Sequence, residues 1–265
     1  MRHLAKSALR FVAIGLLLYG GAYWGAERLL YRTGDSNALF KIETAAEPAY
    51  DWVILGASHA MPLDFADFNA LMERETGLRI LNLASPGTGP LYQRFVLEGF
   101  LERHRAANLL YVLDSFAFYT PQWNEERFAD AKLIRRTPLS VATARRLLAY
   151  SLHEGVAVSA LLDYTSGFSK LNNRERFQRD VWEGEAQFDR VQRPSTAADR
   201  KRIATLYPTA TPAPEAFQRY LRTFATLIEE ARAQGLRVVV MKPPVPAAFL
   251  GALPGEAAFD AAVTG

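Results

Sequence analysis

Hydrophobic positions fall into two regimes along this chain. Near the N-terminus, Phe11 to Ala26 (FVAIGLLLYGGAYWGA) runs for sixteen residues without a charge. Further on, short apolar runs alternate with stretches in which apolar residues recur every three or four positions. Trp52-Val53-Ile54-Leu55 predicts a buried strand, because four apolar residues in a row leave no solvent face. Leu78 to Leu83 (LRILNL), Asn108 to Leu113 (NLLYVL) and the run LRVVVM ending at Met241 predict three more strands. A helix is predicted from Pro62 to Glu75, with Phe65, Phe68, Leu71 and Met72 on one side. A second starts at Pro90 with Tyr92, Phe95, Val96 and Phe100 facing inward, proline being favoured at the first helical position. A third carries Phe217, Tyr220, Leu221, Phe224, Leu227, Ile228 and Ala231 at helical spacing and stops at Gly235. Strands alternating with helices of this length predict an α/β fold with a parallel sheet covered on both faces.

The apolar run at the start reads as a membrane span. A bilayer core needs roughly 20 apolar residues, with a lower limit of about 17, and snorkelling by Arg10 and Arg28 supplies the missing turn. Tyr19, Tyr23 and Trp24 gather at its C-terminal end, where an interfacial aromatic belt belongs. Arg2, Lys6 and Arg10 precede the span and predict a cytoplasmic N-terminus with the rest of the chain outside. A cleaved signal peptide is the competing reading, but Tyr23 and Trp24 are too bulky for a small-x-small cleavage site. A buried soluble helix would leave a terminal stretch apolar on every face.

The resulting division is residues 1–32 as cytoplasmic N-terminus and anchor, 33–50 as a polar, irregular tether, and 51–265 as the α/β domain. An insertion at about 118–212 interrupts that domain and is too long for a bare connection. It contains helical patches at Val141 to Tyr150 and Val156 to Tyr164, then a charged stretch from Lys170 to Arg202. It reads as a cap over the active edge of the sheet or as a partner-docking surface. Trp123, Tyr164, Phe168 and Trp182, interleaved with arginines, suit the stacking of sugars; the alternative is a small helical subdomain with its own core and a solvated face.

Composition narrows the function classes. With 49% hydrophobic residues in 265 there is material for a sizeable core, and the net charge of +3 is scattered among neighbouring acids, which argues against nucleic acid as a partner. The chain has no cysteine, so disulfides, thiolate metal sites and a lipidated cysteine are excluded. His3, His59, His104 and His153 show no ligand spacing, so no metal is expected, and no G-x-G-x-x-G opens the first helix, so no dinucleotide cofactor is expected either.

Candidate chemistry lies at the strand ends, because ligands of open parallel sheets bind outside the carboxyl ends of the strands. Ser58 stands three residues past the first strand, with Gly56 permitting a sharp turn. Such a serine is either a nucleophile with backbone donors for the developing oxyanion or the cap of the following helix. Asn82 and Gly87 lie after the second strand in NLASPGTGP, and Asp114 and Ser115 after the third in VLDSF.

With these blocks the chain resembles the SGNH, or GDSL-like, hydrolase superfamily, over Asp51 to Leu113 and Arg237 to Pro246. Gly56-Ala57-Ser58 matches the position of the Gly-Asp-Ser nucleophile motif, with Ala57 in place of aspartate. Gly87 matches the block-two glycine whose amide helps form the oxyanion hole. Asp114-Ser115 falls where the Gly-x-Asn-Asp motif would stand, with no asparagine, and Ser115 is the substitute third donor. The resemblance implies a three-layer, flavodoxin-like parallel sheet and an acyl-serine on Ser58, with His59, Asn82 and Asp114 lining the pocket, and no cofactor. The branch it looks most similar to is the membrane-anchored, periplasmic one of the alginate O-acetyltransferase and D-alanyl transfer accessory proteins. That likeness implies a single-pass protein of a bacterial inner membrane, a membrane-bound O-acyltransferase partner and a carbohydrate substrate. A non-catalytic binding or assembly module on the same fold is the alternative.

The superfamily carries its base on an Asp-x-x-His block beyond the final strand, and nothing in the tail LGALPGEAAFDAAVTG fits it. Glu256 to Val263 reads as the opening of a helix, so a further strand and the acid-histidine loop are expected to be missing from this chain. His59 adjoins Ser58, but neighbouring side chains in a turn point in different directions, and no histidine is expected within reach of the Ser58 hydroxyl.

Overall fold

Four parallel strands order the centre of the computed structural model, which describes residues 2–31, 37–130, 133–134, 136–172 and 195–264. Among these residues β1 (Ala49–Gly56), β2 (Ile80–Asn82), β3 (Arg105–Val112) and β4 (Arg237–Met241) form one sheet in the order β2-β1-β3-β4. Val53 faces Leu81 on one side and Leu109 on the other, and Leu109 in turn faces Val238. The apolar run predicted for β1 supplies Val53, Ile54 and Leu55, all buried.

Among the described residues the α-helices longer than the single turn Ala247–Leu250 are α1 (Arg2–Leu30), α2 (Ala38–Thr44), α3 (Phe68–Thr76), α4 (Pro90–Leu101), α5 (Val141–His153), α6 (Val158–Thr165), α7 (Gly167–Asn172), α8 (Thr196–Leu206), α9 (Pro214–Ala233) and α10 (Glu256–Thr264). Helices α4 and α9 cover one face of the sheet, and the main core forms there around Leu91, Phe95, Phe100, Tyr111, Phe224 and Leu227. Both helices start at a proline, and the apolar stripes of the sequence lie on their buried sides.

Several expectations are corrected. The segment read as an irregular tether forms α2, capped by the Asn37 carboxamide accepting from Phe40 N–H at 2.9 Å, with Ala38, Leu39, Phe40 and Ile42 buried; residues 32–36 lie outside the described ones. The helix expected from Pro62 is a 3-10 turn, Met61–Asp67, and then α3, because Ala66 and Asp67 adopt positive φ and break the periodicity. Phe65 is buried, whereas Phe68 and Leu71 are exposed. Coverage on both faces does not extend to the edge strand β4, where Val239, Val240 and Met241 are 37 to 40% exposed. Among its described residues the insertion has no core of its own: Trp123, Leu147, Tyr150 and Tyr164 belong to the same cluster as the sheet. Trp123 and Tyr164 are buried and hydrogen-bonded to backbone, Trp123 Nε1–H to Leu206 O and Tyr164 O–H to Pro138 O, so neither presents a ring for sugar stacking. Trp182 and the Phe168 side chain lie outside the described residues.

Helix α1 is the one described helix long and apolar enough to cross a membrane. Leu9, Phe11, Leu16, Leu17 and Leu18 are exposed along it, while Ala26 and Leu30 at its foot are buried in the domain.

Candidate functional site at the carboxyl edge of the sheet

Strand β1 leads to β2 on one side, and the next strand, β3, lies on the other side of β1. The loops after β1 and β3 therefore part around a crevice, the switch point at which open α/β sheets bind ligands. Gly56 ends β1 at φ +146°, and a Cβ there would lie 2.8 Å from Val112 O and 3.0 Å from the Ala60 Cβ. Only glycine fits such a bend. The bend is held from α4 by the fully buried Gln93, whose carboxamide donates to Gly56 O at 2.8 Å and to Thr88 Oγ1 at 2.5 Å and accepts from Gly56 N–H at 3.3 Å.

Beyond the bend the chain turns through Ala57, Ser58 and His59, closed by Ala60 N–H to Ala57 O at 3.1 Å and Met61 N–H to Ser58 O at 3.3 Å. Ser58 is half-buried. It caps no helix: the residue before the 3-10 turn is Ala60, and among the described residues the Ser58 hydroxyl has no hydrogen-bond partner. No histidine reaches it. His59 is bonded to Asp114 and Arg202, His104 is bonded through both nitrogens to Ile42 O and Glu47 O, and His153 is exposed at the end of α5.

The loop after β2 is stitched to this turn by Leu83 N–H to Ile54 O at 2.9 Å and Ser85 N–H to Gly56 O at 3.1 Å. Gly87 follows at φ +61° against the Trp123 ring, which a Cβ would approach to 2.8 Å. The backbone N–H groups of Ser58 and Gly87 have no acceptor among the described residues. Asn82, expected to line a pocket, is 2% exposed and holds the turn together instead: it donates to Ala60 O at 2.9 Å and accepts from Ala84 N–H at 2.9 Å.

The third loop brings Asp114 to His59, with 2.6 Å between Oδ1 and Nδ1. The other carboxylate oxygen of Asp114, Oδ2, is buried without a hydrogen-bond partner. His59 Nε2 meets a guanidinium nitrogen of Arg202 on α8 at 3.2 Å. Ser115 does not supply a free donor: its hydroxyl is 2.6 Å from the Tyr207 hydroxyl and bonded to the Glu256 carboxylate on α10. Glu256 and Asp260 also bind Lys242, the first residue after β4. Burial works against the charge on Lys242, but the hydrogen bonds to Asp260 and Glu256 outweigh it and raise its pKa above the ordinary lysine value. Burial pushes the Tyr207 hydroxyl up, so it acts as a neutral donor.

His59, Asp114, Ser115, Tyr207, Lys242 and Glu256 thus line one cleft with about 30 Å³ of space, room for one or two waters. Ser58 and Gly87 are not part of its lining. The structure therefore divides the predicted residues between a small imidazole–carboxylate cleft and a turn with an unbonded hydroxyl and amides. Sequence reasoning missed Gln93, Arg202, Tyr207 and Lys242. Only Lys242, directly after an apolar strand, carried a positional signal.

No protein-family model matches this sequence, and no curated protein matches it. The chain is, by fold, an α/β protein with a parallel sheet, a long apolar N-terminal helix suited to a membrane anchor and a polar cluster at the sheet's switch point.

Proposed function

We propose that this chain is a membrane-anchored, extracytoplasmic SGNH-like protein of three-layer type that performs acyl transfer through Ser58, in the modification of a cell-envelope polysaccharide. The observation that carries the reading is the Ser58 turn: an unbonded, half-buried hydroxyl past the end of β1, with the acceptor-free amides of Ser58 and Gly87 on neighbouring loops. A serine nucleophile needs that exposure, and a tetrahedral oxyanion needs such preorganised donors. In the reaction Ser58 Oγ attacks an ester carbonyl, its proton leaves with the departing alcohol, and the acyl group then passes to water or a carbohydrate hydroxyl, whose proton returns to Ser58 Oγ. The inner-membrane anchor, the periplasmic side and a membrane-bound O-acyltransferase as partner belong to the same proposal.

A second reading is favoured by two observations: no imidazole touches the Ser58 hydroxyl, and Arg202 covers Nε2 of His59. On that reading the fold is a non-catalytic module that binds glycan or a membrane partner. A fluorophosphonate probe applied to the full chain in membranes separates the two. Labelling that disappears in Ser58→Ala, with the thermal transition retained, supports acyl transfer; a folded wild-type chain that takes up no probe supports the module.

A further inference from the structure

The outer faces of α5 and α6 carry large exposed apolar side chains beside the exposed Arg145, His153, Ser159 and Thr165. On α5 Val141, Leu148 and Leu152 recur at i, i+7 and i+11, one stripe on a helix, with exposures of 74, 46 and 67%. On α6 Val158 and Leu162, four apart, are 56 and 60% exposed, and Leu139 just before α5 is 46% exposed. The inward side of α5 carries Thr143, Arg146 and Tyr150 beside Leu147, and that of α6 carries Ala160 and Tyr164. Both sides of these helices thus present apolar side chains, and contiguous exposed apolar surface of this kind marks an interaction site.

Contacts with α1 say what the surface meets. Leu139 N–H donates to the Glu27 carboxylate at 2.8 Å, fixing the start of α5 at the end of the charge-free stretch. Gly167, just past α6, packs directly on Tyr19 and Tyr23, so that a Cβ would collide with both rings. Tyr23 and Tyr19 lie three and seven residues before Ala26, the end of that stretch. At 1.5 Å per residue, Gly167 sits about 5 to 10 Å inside it, the depth at which interfacial helices lie.

We infer that α5, α6 and α7 form a foot that rests in the outer leaflet beside α1, with Leu148, Leu152, Val158 and Leu162 in the headgroup–acyl boundary. The inference rests on α1 spanning the bilayer. The lipid-facing surface of α1 continues into the apolar stripe through the Tyr19, Tyr23 and Gly167 contact, which is why the occupant is lipid. Arg145, on the same stripe and exposed, reaches the headgroups. The foot sets the height and orientation of the domain, so that the sheet is clamped against the membrane rather than swinging on a linker.

The absence of native cysteine allows single-site labelling of the whole chain. Nitroxides are placed at Leu152→Cys and Leu162→Cys, at Leu17→Cys in the span and at the exposed Glu75→Cys on α3, in nanodiscs of phosphatidylethanolamine and phosphatidylglycerol. Collision rates with oxygen and with a nickel chelate are compared. Ratios at the two foot sites shifted toward that of Leu17→Cys, with Glu75→Cys remaining aqueous, support the inference. Foot sites as accessible to nickel as Glu75→Cys overturn it while Leu17→Cys stays lipid-exposed. Foot sites shielded from both reagents overturn it in favour of a second copy on the stripe. An aqueous Leu17→Cys removes the anchor reading itself.

Discussion

His59 is held between an acceptor and a donor: Asp114 Oδ1 lies 2.6 Å from its Nδ1, and Arg202 lies 3.2 Å from its Nε2. A guanidinium has no acceptor, so Nε2 must be the unprotonated nitrogen and Nδ1–H must point at the carboxylate. This is the tautomer in which the outer nitrogen accepts a proton. In ¹⁵N-histidine spectra of the full chain, assigned with His59→Gln, the prediction is a protonated Nδ1 and a pyridine-type Nε2. Asp114→Asn should mix the tautomers. An Nε2–H form in the wild type would refute the arrangement.

Arg202 also shields that nitrogen from reagents. Arg202→Ala should raise the rate at which diethyl pyrocarbonate modifies His59, by several-fold, as read by peptide mass spectrometry. His104 is an internal control, because both its nitrogens are bonded to backbone carbonyls at 2.9 and 2.8 Å and the residue is 8% exposed. Equal rates for His59 in the two chains would show that Arg202 does not cover it in solution.

The strands, α4, α9 and the position of Ser58 after β1 were legible because apolar runs and helical spacing report burial directly. The strand order was not, since adjacency depends on crossovers rather than on any one segment. The role of Asn82 is not legible either, because position at a strand end does not say whether a carboxamide faces a ligand or its own turn. Helix α2 was hidden in a polar stretch whose few apolar residues, Leu39, Phe40 and Ile42, are all buried. Arg202 and Tyr207 reach the site across more than eighty residues of chain from Ser115, and no local pattern encodes that distance. The sequence puts His59 beside a pocket, but its pairing with Asp114 follows only from β1 and β3 being neighbours.

Gln93 is the support of the Ser58 turn, and it is testable as such. Gln93→Leu keeps the volume but leaves Gly56 N–H without its acceptor and Gly56 O with Ser85 N–H alone. An unsatisfied buried donor costs about 1–3 kcal/mol, so a loss of unfolding free energy of that size is expected in denaturant titration, together with slower probe uptake at Ser58. Gly56→Ala should cost more, because the added methyl meets Val112 O from a φ that strains any side chain. A Gln93→Leu chain with wild-type stability and labelling would remove Gln93 from this role.

The last prediction concerns pH. Glu98 on α4 sits in a charged cluster where Arg94 contacts it at 3.3 Å, Glu230 at 2.7 Å and Glu154 at 3.0 Å, and where the Tyr150 hydroxyl donates to Glu98 at 2.8 Å. Burial raises the Glu98 pKa, and the Tyr150 hydrogen bond and Arg94 only partly offset it. Glu43 is raised by burial in the same way, against the pull of Arg103. A carboxyl whose folded pKa exceeds its unfolded value binds its proton more tightly in the folded chain. Its contribution is therefore fully present below the ordinary value of 4.5 and is lost as pH rises through the folded pKa. Glu98→Gln removes this titration while keeping an acceptor for Tyr150. Thermal midpoints of the full chain in detergent, measured at pH 7 and pH 5, should show the wild type gaining stability on acidification relative to Glu98→Gln. A difference between the two chains that is independent of pH, or that grows toward neutrality in favour of the wild type, would show that pairing with Arg94 outweighs burial at this site.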